Sequence, residues 1–210
     1  MVELVETRTL EGMSSLTTSR RGRTGLGPAA LSMALVVAAM WVLEAVDQAS
    51  GSRLDLYGIH PRSEQGLLEI FTAPWLHGGW AHLVSNTVPF FVLGVVVLLD
   101  GWQRWLAATA WVVVVSGLFV WVLTPPTTIT LGASGIVFGW LTYLVVRGIF
   151  TRAPGQVALG VVVFFLYGGI LLGVLPGTPG ISWQAHLGGA VGGVIAARGL
   201  RHRPVDQRWH

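Results

Sequence analysis

The chain has 210 residues, 52% of them hydrophobic and only 11% charged. A soluble domain carries roughly 25% charged residues, so there is too little charge to coat a water-facing surface, and lipid must be the solvent for most of the chain. The formal charge of +3 rests on arginine alone, in short flanks beside apolar runs and with no basic, aromatic-interleaved stripe for nucleic acid; the absence of cysteine excludes disulfides, thiolate metal sites and a cysteine nucleophile.

Residues 1–27 are polar and rich in Ser, Thr, Gly and Arg, and read as a flexible cytoplasmic tail. Six candidate spans follow in a membrane domain covering 28–200, with a second cytoplasmic tail at 201–210. Each approaches the roughly 20 residues needed to cross the hydrocarbon core. The first runs from Pro28 to Val46. It reads as a retained span rather than a signal peptide, because no small-residue cleavage site stands at its end and further spans follow. Glu44 and Asp47 fall at its outer end, where a solvated position is expected. The loop from Asp47 to Gly79 carries the pairs Leu67-Leu68, Ile70-Phe71 and Trp75-Leu76. These fit either partly buried interfacial structure or a solvated loop with a few anchors. The second span runs from Trp80 to Leu99, the third from Trp105 to Leu123 and the fourth from Leu131 to Phe150. The fifth covers Val157 to Leu175 and the sixth Trp183 to Leu200.

No charged residue occurs from Trp105 to Val146 or from Ala153 to Ala197. Each stretch is too long for one helix and is broken by turn chemistry, at Thr124-Pro125-Pro126-Thr127 and at Pro176-Gly177-Thr178-Pro179-Gly180. The fold class expected is all-α: a polytopic membrane bundle of six transmembrane helices. Arginine placement orients it. Arg20, Arg21 and Arg23 precede the first span, Arg104 follows the second, Arg147 and Arg152 follow the fourth, and Arg198, Arg201, Arg203 and Arg208 follow or end the sixth. Both termini are expected in the cytoplasm, so spans two, four and six start at the outer face.

Three polar clusters stand out against apolar surroundings: His77 to Asn86, Gly132-Ala133-Ser134-Gly135, and Ala185-His186. Polar groups at membrane depth cost free energy and tend to face the bundle interior with a job to do. Given the orientation, His82, Asn86, Ser134 and His186 share one depth in the outer leaflet. Ser134 is flanked by small residues and opens a helix, where free N–H groups suit a developing oxyanion. His186 is placed to accept its proton. His82 and Asn86, four apart, share a helix face and can add side-chain donors. Gly135 with Gly139, and Gly189 with Gly193, form small-xxx-small faces that permit close helix contact. Taken alone, Gly-x-Ser-Gly reads as a packing site and a lone histidine as a satisfied core residue. His77, His82 and His186 lack an acidic or thiol companion, so no metal is expected.

These residues carry a resemblance. His82-x-x-x-Asn86, Gly132-x-Ser134-Gly135 and Ala185-His186-x-x-Gly189-x-x-x-Gly193, in this order and topology, resemble the rhomboid family of intramembrane serine proteases, in its basic six-span bacterial form. The stretches Tyr57 to Arg62 and Ala73 to Trp80 also look like bacterial members. The resemblance implies a Ser134–His186 dyad and an oxyanion hole made by the Ser134 N–H, Asn86 and His82, with Gly132 shaping it. It implies single-span membrane proteins as substrates, cut near small residues from the outer face of the cell membrane, and a mobile gate over about Gly173 to Ser182. It implies no cofactor and no nucleic-acid partner. One departure is Leu68-Glu69 where many members carry Trp-Arg. An inactive rhomboid-like helix binder is the alternative, with a small transporter behind it. Oligomeric state stays open, since glycine faces serve internal packing equally well.

Overall fold

The computed structural model describes residues 22–177 and 180–201. The greater part of the N-terminal tail with Arg20 and Arg21, the residues Thr178 and Pro179 of the second turn, and the C-terminal segment with Arg203 and Arg208 lie outside the described residues.

Lipid offers backbone groups no hydrogen bonds, so apolar runs close their own as helices. Helix α1 spans Leu26–Ser50, α2 Glu64–Glu69, α3 Trp80–Leu98, α4 Trp102–Leu123, α5 Ser134–Thr151, α6 Pro154–Tyr167 and α7 Trp183–Gly199. A 3₁₀ stretch, Gly168–Val174, continues α6. Among the described residues there is no strand, only an isolated bridge between Ile59 and Thr130. Helices α1, α3, α4, α5, and α6 with its continuation are long and apolar enough to cross a membrane. Helix α7 has 17 residues and packs most extensively against α5 and α4. Its glycines explain its central place, since they let neighbouring backbones approach. Trp140, Leu141 and Tyr143 of α5 form the core with Phe90 and Leu93 of α3. Helix α6 is peripheral and leaves Phe165 and Leu166 exposed to the lipid side.

Backbone and side-chain contacts fix which helix ends lie together. Thr24 N–H donates to Leu99 O, and Arg147 donates to the Asp100 carboxylate, so the start of α1 and the ends of α3 and α5 share one end of the bundle. At the other end the first loop meets the end of α4, where Arg62 N–H donates to Trp121 O and the Arg62 guanidinium to Thr124 O.

Two sequence expectations are corrected by the structure. Helix α5 starts at Ser134, not Leu131, because Thr130 is held in extended pairing with Ile59 and Gly132 turns the chain at φ +122°. Glu44 and Asp47 are not solvated: each is 2% exposed. Helix α1 runs past Val46 to Ser50, and the 3₁₀ turn Leu54–Tyr57 folds back on it, with Leu54 N–H donating to Asp47 Oδ1 at 2.6 Å.

The first loop is folded. Ile70, Ala73 and Leu76 are buried, while Leu67, Leu68 and Phe71 are exposed. Glu69, at the departure from the family pattern, is buried: its Oε2 accepts from His60 N–H at 2.9 Å and lies 2.7 Å from His60 Nδ1. Gln65 donates to its other oxygen. A carboxylate thus braces this loop from within.

Candidate active site

A cavity of about 860 Å³ opens among the starts of α3, α5 and α7. His82, Asn86, Ser134 and His186 all line it. Three separate helices deliver them, each within two turns of its first residue.

Ser134 is the first residue of α5 and is half-buried. The N–H groups of Ser134 and Gly135 fall in the first turn, where no helix carbonyl precedes them. Gly132 is needed twice. Its φ of +122° disfavours any side chain, and a Cβ there would come 2.5 Å from His82 Cε1. The turn before the serine therefore lies directly against the His82 ring. Asn86, 5% exposed, donates one amide N–H to His82 O at 3.0 Å, which sets its side chain along the cavity wall.

His186 is 7% exposed. Its ring stacks on Phe138 with centroids 3.9 Å apart and planes 11° from parallel. Its Nδ1 lies 2.9 Å from Gly173 O. Among the described residues no hydrogen bond joins Ser134 to His186. The two side chains share the cavity without touching as donor and acceptor.

The glycine faces lie against each other. A Cβ on Gly189 would overlap Gly135 O, and one on Gly193 would overlap Gly139 O. Where a Cβ on Gly135 would point, Ser116 Oγ of α4 donates to Ala185 O at 2.8 Å, beside His186. Helices α4, α5 and α7 thus close on one another directly beneath the cavity.

Two residues near the site carry no assigned role from sequence. Phe138 sits one turn after Ser134, and that i+4 spacing on one helix face is the signal that could have found it. His77, for which the sequence argues against a metal role, is 2% exposed and faces Ala133 N–H with Nε2 at 3.5 Å. Its ring meets His82 edge-on at 5.1 Å. Burial, with the neighbouring His82 second, pushes its pKa down to about 4, so the ring is neutral near pH 7 and can accept. No sequence spacing connects position 77 to position 133, so this brace shows only in three dimensions. Among the described residues no group of three or more His, Asp or Glu side chains is arranged for a metal ion.

A polytopic helical membrane protein whose helix starts bring polar side chains to one cavity is the class so defined. The family model for the Rhomboid domain matches residues 64–203. An uncharacterized protein of Mycobacterium tuberculosis is 46% identical over 169 residues, covering 77% of this chain and 70% of its own. Another from Mycobacterium leprae is 39% identical over 188 residues, covering 86% and 74%. Rhomboid-like protease 5 of Toxoplasma gondii is 32% identical over 135 residues, 60% of this chain and 16% of its own. The chain belongs to the rhomboid family.

Proposed function

We propose that this rhomboid-family protein is an intramembrane serine endopeptidase that cuts the transmembrane segments of single-span membrane proteins. The observation that carries the reading is the meeting of His82, Asn86, Ser134 and His186 around one cavity large enough to admit an unwound peptide and water. In this reading Ser134 Oγ attacks the scissile carbonyl carbon as its proton passes to His186. The carbonyl oxygen, now negative, takes hydrogen bonds from the Ser134 N–H and from the side chains of Asn86 and His82. Donors aimed at charge that develops only in the transition state are the largest usual source of rate. The C–N bond then breaks, and the amine leaves with the proton from His186. Water, deprotonated by the same histidine, releases the acyl group and restores Ser134.

The arginines on the bundle end opposite the cavity support a cytoplasmic position for that end, by the positive-inside rule. The cavity then opens towards the outer face of the cell membrane, and both termini are cytoplasmic. Membrane protein substrates and the lipid bilayer are the partners of this reading, without a cofactor.

The one observation favouring a helix-binding, non-cleaving rhomboid is the missing Ser134–His186 hydrogen bond. Catalytic hydrogen bonds often form fully only with substrate bound, so it does not displace the first reading. The test is cleavage of a single-span protein with small residues near the top of its helix, in proteoliposomes. Ser134→Ala should lower turnover by about 10⁴-fold or more while leaving thermal unfolding unchanged. Equal turnover by the variant would remove Ser134 from the chemistry.

A further inference from the structure

Stacking on Phe138 fixes the plane of the His186 ring but not its orientation within that plane. A half-turn about Cβ–Cγ would leave the stack intact. It would also put carbon Cδ2 where Nδ1 now stands and carbon Cε1 where Nε2 now stands, and the base would be lost. Among the described residues, only a hydrogen bond at one ring nitrogen separates the two orientations. Gly173 O makes that bond, at 2.9 Å from Nδ1.

Among the described residues no backbone N–H beyond the 3₁₀ stretch takes this carbonyl. It lies in the 3₁₀ stretch Gly168–Val174, whose bonds run between residues three apart. Three residues beyond Gly173 is Pro176, which has no N–H to give. Leu172 O, by contrast, is taken by Leu175 N–H at 3.1 Å. A carbonyl can only accept, so Nδ1 must carry the ring's single proton in the neutral state. Nε2 is then left with its lone pair.

We infer that the backbone carbonyl of Gly173 is the positioning group for the base: it holds His186 Nδ1–H and so keeps the Nε2 lone pair available to the Ser134 proton. A buried carboxylate plays this part in a serine triad; in this chain a main-chain oxygen takes its place. When Nε2 takes the serine proton, both ring nitrogens become donors, and Gly173 O goes on accepting from Nδ1. A side chain at this position would press on both rings, since a Cβ on Gly173 would lie 2.9 Å from Phe138 Cζ and 3.1 Å from His186 Nδ1. The catalytic meaning rests on the protease reading above; the hydrogen bond does not.

The test uses the full chain labelled with ¹⁵N-histidine in lipid, read by NMR for ring-nitrogen protonation, with His186→Gln assigning the signal. Wild type should show His186 as the neutral tautomer protonated at Nδ1. Gly173→Ala should spread the signal over both tautomers and slow labelling of Ser134 by a fluorophosphonate about tenfold to a hundredfold. Gly169→Ala is the matched control: it lies in the same 3₁₀ stretch, and its added Cβ meets nothing within 4 Å. That variant should match wild type in both readings. A wild-type His186 protonated at Nε2 overturns the inference without need of any variant. So does a Gly173→Ala protein with unchanged tautomer and labelling rate. If wild type shows the Nδ1–H signal but is not labelled, the Gly173 contact stands and the protease reading falls.

Discussion

Asn86 reaches the cavity from a helix interior, with one amide N–H spent on His82 O. In the proposed mechanism the other amide hydrogen goes to the oxyanion. Since that charge forms only during reaction, Asn86→Ala should lower kcat by about 10²–10³-fold and leave KM nearly unchanged. Steady-state kinetics on a membrane-embedded substrate checks this, and a change confined to KM would exclude the oxyanion role. At this scale the candidate site is partly legible. His82, Asn86, Ser134 and His186 are conspicuous because they are polar in apolar runs, and helix direction puts them at one depth. Phe138 and Gly173 are not conspicuous, because an apolar ring in an apolar helix and a main-chain oxygen look like packing. His77 is visible as a residue, but its contact with Ala133 N–H crosses 56 positions of chain.

At the scale of elements, the contact of α5 with α7 brings Ser134 and His186 to one cavity. Gly189→Val would drive a branched side chain into Gly135 O. Overpacking of this kind costs about 1–3 kcal/mol, and at this contact it also pushes His186 away from Ser134. The variant should unfold at a lower temperature in detergent and lose fluorophosphonate labelling; full stability with full labelling would refute the close-contact account. The helices themselves follow from length, apolar content and the two proline-bearing turns. What the pattern does not show is how loops cover helix ends. Glu44 and Asp47 look like a solvated terminus until the Leu54–Tyr57 turn folds onto them. Glu69 looks like a surface acid until His60 and Gln65 close around it.

For the molecule as a whole, that covered corner makes stability depend on pH. Asp55, in the turn beside α1, has its carboxyl pushed up to about 6, first by burial and then by the charges of Asp47 and Glu44. Its ordinary value is about 3.9. Between these values the folded chain holds a proton that the unfolded chain has lost, so stability falls as pH rises from about 4 to about 6 and levels off above. Asp55→Asn should therefore raise the unfolding temperature at pH 7.5 and leave it unchanged at pH 3.5. Equal effects at both values would remove Asp55 as the source.

The central claim is that Ser134 is a nucleophile activated by His186 inside a membrane bundle. Fluorophosphonate labelling of the purified, detergent-solubilised protein tests it most directly, comparing wild type with Ser134→Ala and His186→Ala. The account predicts labelling of wild type and of neither variant. Absence of labelling in folded wild type, or labelling that survives in Ser134→Ala, would contradict it.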